Sequence, residues 1–255
     1  MPATRSRARS PSRGASLDTA PGRPEIARLV APNPGPMTLE GTNTYVVGQR
    51  PAHVIDPGPD DPSHIASVRA EAERRGGVGG ILLTHSHGDH SAGVARLGGP
   101  VLWGDGGTEA GPFTVVPTPG HAEDHVCFVL DGTCFTGDLI LGEGSTIVPP
   151  GGGSLIAYLD SLRRLEELDL ELLCPGHGPL VTDPGAKISE YLAHRLERER
   201  KLVAALDAGE RSRARLLDAA WDDVPAELRW AAAEAMQSHL EKLEAEGRLP
   251  SELRD

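Results

Sequence analysis

The spacing of apolar residues changes twice along this chain, and the changes divide it into parts. Thr44-Tyr45-Val46-Val47 and Ala52-His53-Val54-Ile55 are short β-prone runs separated by Gly48-Gln49-Arg50-Pro51, which predicts two paired strands. Asp61-Pro62 reads as an N-cap followed by proline at the first helical position, opening a helix to about Arg75 that Gly76-Gly77 stops. Gly79-Gly80-Ile81-Leu82-Leu83 is a short apolar run with the length of a buried strand. A short helix over 91–97 follows, then strands over 100–103 and 113–116. Residues 126–130 and 133–136 flank Asp131-Gly132, a strong hairpin signal. Residues 141–153 are rich in Gly and Pro and predict a loose loop. Leu155, Leu159, Leu162, Leu165 and Leu168 then mark one helical face, and Leu172-Leu173-Cys174 a last strand. From Pro184 the pattern is helical only, over 184–208, 211–221 and 225–247.

Composition refines this picture at the ends and at the surface. Residues 1–24 are rich in Arg, Ser, Pro and Ala and have no apolar period, so they are expected to be a disordered tail, with folding beginning near Ile26. An Arg- and Ser-rich, acid-poor leader also has the composition of a mitochondrial transit peptide. The expected location is cytoplasmic, or the mitochondrial matrix for a eukaryotic source. The formal charge of −12 gives no general attraction to polyanions. Three cysteines are too few for a disulfide framework. No apolar run reaches the roughly 20 residues that span a bilayer.

The candidate chemistry sits directly after the Ile81 run. In Thr84-His85-Ser86-His87-Gly88-Asp89-His90, three histidines and one carboxylate fall within six residues, on the loop at the end of a predicted strand. Neutral imidazole and carboxylate are ligands for zinc-like divalent metals. Four of them this close exceed what one tetrahedral ion with an open position can use, which suggests two metals. Three isolated residues, His121, Asp138 and His177, follow other strand-like segments, each just after a glycine.

The motif His-x-His-x-Asp-His, with His121, Asp138 and His177 in that order, resembles the signature of the metallo-beta-lactamase superfamily. The resemblance implies an α/β fold: a four-layer αββα sandwich over 25–182, with a small helical, winged-helix-like domain over 183–255. It implies one metal held by His85, His87 and His121 and another by Asp89, His90 and His177, with Asp138 bridging. Ions about 3.5–4 Å apart lower the pKa of a shared water toward roughly 7 and polarise the bond under attack. Two divalent ions, zinc first, are the expected cofactors, and Asp89 is the residue expected to orient the nucleophile. Asp56 is either a support for the metal site or a turn carboxylate. His125 is expected to support the site or anchor the hairpin.

Departures from other branches narrow the resemblance. The commonest zinc beta-lactamases have Cys at the place of Asp138 and Arg at that of His90, and an oxidoreductase branch has Glu at that of His87. The run from Asp138 to His177 is too short for the inserted domain of the RNA-processing and DNA-repair nucleases. Leu39-Glu40-Gly41-Thr42-Asn43-Thr44-Tyr45, Thr118-Pro119-Gly120-His121-Ala122-Glu123-Asp124-His125 and Pro175-Gly176-His177-Gly178-Pro179 are most similar to the group of beta-lactamase-like protein 2 and its bacterial relatives. That group implies cleavage of RNA phosphodiester bonds. The alternative is a thioester or other acyl bond, as in glyoxalase II-like enzymes, which the acidic charge favours. Lys187, Tyr191, His194 and Arg198 share a helical face and are candidate substrate contacts. No obligate protein partner is evident, and none of these readings needs a membrane.

Overall fold

The computed structural model describes residues 17–102 and 108–253. Its first sheet has strand order β1 (Leu17–Ala20), β2 (Arg23–Val30), β3 (Asn43–Val47), β4 (Ala52–Ile55) and β5 (Val78–Leu82). The pairs are antiparallel up to β4, and β4–β5 is parallel across helix α1 (Pro62–Arg74). Asp61 caps α1 by accepting the His64 N–H at 2.8 Å. Ile65, Val68 and Ala72 of α1 pack on Val46, Val54 and Ile81 of the outer sheet face.

The expectation of a disordered tail to residue 24 does not hold for residues 17–24. They form β1 and the start of β2, in register as Leu17↔Leu29, Asp18↔Arg28 and Thr19↔Ala27. Backbone pairing with β2 and the burial of Ala20 between the sheets secure this edge strand, and Arg28 pairs with Asp18 at 2.8 Å. Composition cannot register that. Residues 1–16 lie outside the described residues.

The predicted helix over 91–97 is two short ones, α2 (Gly88–Ser91) and α3 (Val94–Leu97). Gly93 interrupts them because it sits against the backbone of Pro57 and Gly58, where a Cβ would come within 3.1 Å of both carbonyl oxygens. The predicted strand over 100–103 is reduced to one bridge, Ile81↔Val101, and Trp103 lies outside the described residues.

The second sheet runs β10 (Leu172–Pro175), β9 (Thr133–Gly137), β8 (Val126–Leu130), β7 (Phe113–Pro117) and β6 (Glu109–Ala110). The β8–β9 turn has positive φ at both Asp131 (47°) and Gly132 (72°), as a two-residue hairpin requires. Between the sheets lie Tyr45, Ile55, Leu82, Phe113, Phe128 and Phe135. Helix α4 (Leu155–Glu166) covers the outer face with Leu155, Tyr158, Leu159, Leu162 and Leu165. Leu168, expected on that face, falls beyond the helix end and is exposed. The layers are therefore helix, sheet, sheet, helix.

Helix α5 (Pro184–Asp207) lies against α4 and leads into α6 (Arg213–Ala220) and α7 (Arg229–Ala245). These build a second core from Leu202, Leu206, Leu216, Trp221, Met236, Leu240 and Leu243. Among the described residues this unit carries no strand. Among the described residues no helix is long and apolar enough to cross a membrane.

Candidate metal centre

Strand ends position the site. Beyond β5, Leu83 and Thr84 lead to His85 and His87, and α2 carries Asp89 and His90. His121 follows β7, Asp138 follows Gly137 at the end of β9, and His177 follows Gly176 after β10. A Cβ on Gly176 would lie 2.6 Å from Asp138 Oδ1 and 2.7 Å from His90 Cε1, so only glycine lets this strand end approach. Asn43 and Tyr45 of the other sheet hold the same turn, both donating to the Pro175 carbonyl at 2.8 Å.

The seven predicted ligands come together. His87 Nδ1 lies 3.0 Å from His85 Nε2 and 3.1 Å from His121 Nε2. His177 Nε2 lies 3.3 Å from His90 Nε2 and 3.3 Å from Asp89 Oδ2. Asp138 stands between the two groups. Its Oδ1 is 3.4 Å from both His90 Nε2 and His177 Nε2, and its Oδ2 is 3.7 Å from His121 Nε2. Three sets, His85–His87–His121, His85–His90–Asp138 and Asp89–His90–His177, each place their donor atoms within 4.8 Å of one another.

The outer nitrogens decide where the protons are. His90 Nδ1 faces the Asp56 carboxylate at 2.9 Å, His121 Nδ1 the Ile147 carbonyl at 2.7 Å, and His177 Nδ1 the Gly41 carbonyl at 3.2 Å. Each partner can only accept, so each Nδ1 carries the hydrogen. The Thr84 hydroxyl donates to Asp56 Oδ2 at 2.7 Å, so it accepts from His85 Nδ1 at 3.0 Å. With each Nδ1 carrying a hydrogen, these four rings turn Nε2 inward, where Asp138 Oδ1 is buried without a hydrogen bond. Lone pairs and carboxylates converging this closely fit a divalent cation, and the outer partners fix ring orientation as metal-binding histidines require.

The electrostatics agree. Burial opposes ionisation of Asp89, but His177 and His90 outweigh it and hold the carboxyl at about 2. Burial likewise opposes protonation of His177, but hydrogen bonds to Asp138 and Asp89 push it up to about 9. The same carboxylates that raise a histidine would draw a metal ion. His85 goes the other way: burial, then His90 and His125, bring it down to about 2.

Asp56 takes the supporting role. Its Oδ1 accepts the Thr84 N–H at 2.8 Å while Oδ2 meets Thr84 and His90. His125 supports Asp138: its Nε2 accepts the Asp138 N–H at 3.2 Å, and its Nδ1 therefore donates to Thr118 Oγ1 at 2.9 Å.

A cavity of about 260 Å³ opens over His87, Asp89, His121, Asp138 and His177, with Met37, Ile147 and Pro149 as its apolar walls. A second of about 200 Å³ shares His121, Asp138 and Ile147 and continues to Leu39, Leu141, Leu228 and Trp230. The last two come from the C-terminal unit, a juxtaposition no local sequence signal announces.

The α5 face is placed differently. Lys187 pairs with Glu190 at 3.1 Å, and the buried Tyr191 hydroxyl accepts the Leu141 N–H at 3.0 Å. Arg198 donates to His194 Nε2 and grips Asp223 through two bonds of 2.6 and 3.0 Å. His194 and Arg198 line another cavity beside residues 145–147. The structure joins the seven and leaves these four apart from them.

Fold, site and sequence together define the class: the chain belongs to the metallo-beta-lactamase superfamily and is a hydrolase of that superfamily. The pattern described as "Metallo-beta-lactamase superfamily" matches residues 37–99 and 104–177, and that of a "Beta-lactamase associated winged helix domain" matches 214–252. The beta-lactamase-like protein 2 homolog of Drosophila melanogaster is 31% identical over 264 residues, covering 88% of this chain and 89% of its own. The atrochrysone carboxyl ACP thioesterase of Aspergillus chevalieri is 38% identical over 213 residues, covering 72% of this chain and 66% of its own. A metallo-beta-lactamase family protein from Thermus thermophilus superposes with a TM-score of 0.69 at 25% identity, covering 88% of this chain and 94% of that one.

Proposed function

We propose that this protein is a dinuclear metal-dependent hydrolase that cleaves an activated acyl bond, a thioester foremost. The carrying observation is the wall of the cavity. Among the described residues its apolar wall is Met37, Leu39, Leu141, Ile147, Leu228 and Trp230, with Glu143 at the edge and no Lys or Arg, while Arg195 and Arg198 line the adjoining cavity beyond residues 145–147. Phosphodiester chains are bound through cations. An apolar wall ending at a polar cluster instead suits an acyl chain with its carbonyl at the cluster. The thioesterase relative supports the same reading.

His85, His87 and His121 would hold one ion, and Asp89, His90 and His177 the other, with Asp138 shared between them. Zinc fits this donor set. When bound, the ions supply Lewis acidity and a water acidified toward pKa ~7. The chain's own part is positioning. Asp89 lines the cavity and stays ionised above about pH 2, so it is an acceptor that orients an attacking water. The apolar wall aligns the acyl group and excludes bulk water.

The RNA phosphodiester reading stands second. It rests on the winged-helix match over 214–252 and the likeness to beta-lactamase-like protein 2 homologs. The deciding assay offers zinc-loaded protein a series of pantetheine thioesters and labelled single-stranded RNA, with Asp138→Ala alongside. Thioester turnover that rises with acyl length and falls on the order of 10³-fold in the variant is expected. RNA cleavage lost in the variant, with thioesters untouched, would overturn the acyl reading in favour of the nuclease. Metal analysis of the loaded protein should find two ions per chain.

A further inference from the structure

The segment between Asp138 and α4 has neither helix nor strand over 145–149, yet three successive carbonyls of it are engaged. The Thr146 carbonyl accepts from the Arg195 guanidinium of α5. The Ile147 carbonyl accepts from His121 Nδ1 at 2.7 Å. The Val148 carbonyl accepts from Ser238 Oγ of α7 at 2.6 Å. The only ring among the seven candidate ligands that leans on this segment is thus braced on both sides by the C-terminal helical unit.

From this geometry we infer that Arg195 and Ser238 are positioning residues. They set the His85–His87–His121 side of the metal centre through Ile147 and leave the Asp89–His90–His177 side untouched. The inference rests on the ligand assignment proposed above.

A backbone without a ladder needs other partners for its polar groups. Here Arg195 and Ser238 supply them, and both are buried. Arg195 is an unusual choice for the task. Among the described residues no carboxylate lies within ion-pair distance of it, its Nε has no partner, and its guanidinium stacks 5.2 Å from the Tyr158 ring. A cation buried mainly against one carbonyl and one ring is costly to keep, which is understandable if that carbonyl's position matters. Asp138, by contrast, has a second hold, because His125 accepts its N–H as Thr146 Oγ1 donates to its carbonyl at 2.7 Å.

The side chains on the other side of the centre are held by neither Arg195 nor Ser238, although Tyr191 of α5 reaches the His177 backbone through Leu141 and Gly142. His90 is held by Asp56 and His177 by the Gly41 carbonyl, both from the first sheet's connections, while Asp89 rides on α2. Trp230 in the first turn of α7 lines the cavity, and Ser238 lies about 12 Å further along the same helix. The helix that meets the cavity is the helix that braces the loop.

The test is cadmium NMR of the full chain loaded with two equivalents, the two resonances being assigned with His87→Ala and His177→Ala. Ser238→Ala and Arg195→Met are then titrated with cadmium and compared with wild type, after circular dichroism has shown both variants folded. The expected result is a loss of about tenfold or more in affinity confined to the His85–His87–His121 resonance, with partial recovery in Arg195→Lys. Unchanged affinity, or equal loss at both resonances, would overturn the relay while leaving the dinuclear reading intact. Wild-type protein that binds no cadmium would overturn both. An Arg195→Met chain that fails to fold leaves the decision to Ser238→Ala, which removes one oxygen only.

Discussion

Four of the seven candidate ligands lie within six residues of one loop in the first half of the sandwich, while the second half contributes three from three separate strand ends. The halves also differ in how those side chains are held. In the first, the Asp56 carboxylate alone accepts from Thr84 N–H, Thr84 Oγ1 and His90 Nδ1, at 2.7–2.9 Å and out of contact with solvent. In the second, His121 depends on a carbonyl of an irregular loop, Asp138 on His125, and His177 on a carbonyl from the first half. The first half organises its donors with its own strand ends. The second is conditional on what packs over it. Each proposed ion set takes two donors from the first half and one from the second, and it is the His121 set whose second-half donor leans on the irregular loop and, through it, on the helical unit.

The largest expected effect comes from attacking the rigid side. Asp56→Asn keeps the size but loses one acceptor, so either Thr84 or His90 is left facing an amide donor. Affinity at the Asp89–His90–His177 set should fall about 10–100-fold, as for other outer partners of metal-binding histidines. One buried unsatisfied group should also lower stability by about 1–3 kcal/mol. Metal titration and a thermal melt of the apo protein measure the two separately. Wild-type affinity in this variant would break the comparison, since the first half would then not owe its order to Asp56.

How much of this was legible in the sequence follows the same division. His85, His87, Asp89 and His90 announce themselves because one strand end brings them together without any long-range contact. His121, Asp138 and His177 are separately unremarkable and become readable only as a set, in order, each behind a glycine at a strand end. For Asp56 and His125 the sequence left a support and a turn or hairpin role open, because which atoms they hold depends on how strands distant in sequence pack. Residues 17–24 were misread because an edge strand is specified by its partner's backbone, whereas composition registers only apolar content. Trp230, Leu228 and Ser238 carried no signal of a place at the cavity. Their helical spacing places them in a C-terminal unit, and only the packing of α7 against the loop brings them to the cavity. Tyr191 and Arg198 shared a polar helix face, yet one anchors Leu141 and the other Asp223.

A smaller effect should sharpen the conditional side. Trp230 is half exposed and lines the cavity with Leu228 and Met37, which are themselves 37% and 44% exposed. Large apolar groups gathered from two distant segments around one opening suggest a wall for an apolar ligand. Trp230→Ala should lower kcat/KM for a long-chain acyl thioester about tenfold, the equivalent of burying part of an aromatic side chain. An acetyl thioester should be unaffected, and stability should stay within about 0.5 kcal/mol for this exposed site. Equal losses on both substrates would mean that the wall does not read acyl length.

The smallest effect concerns the helical unit itself. Glu199 of α5 lies beside His239, Lys242 and Arg248, and together they hold its carboxyl at about 2, below the ordinary 4.5. His239 Nδ1 lies 3.9 Å away, Lys242 forms an ion pair at 2.8 Å, and Arg248 donates to Glu199 Oε1 at 3.0 Å. Glu246 faces both of these cations as well, at 2.7 Å each. A depressed carboxyl pKa contributes stability that is fully present above about pH 4.5 and is lost as pH falls through 4.5 toward 2. Glu199→Gln should remove roughly 1 kcal/mol near neutrality, about 2–4 °C in Tm, and the difference from wild type should shrink to nothing near pH 2. Melts across that window, followed by the fluorescence of Trp221 and Trp230, measure this. The loss should reach the His121 side of the metal centre first, because α5 and α7 carry Glu199 and Lys242 as well as Arg195 and Ser238. A variant whose deficit is the same at every pH would show that Glu199 contributes shape rather than charge, and would cut the tie between acid and the His121 side.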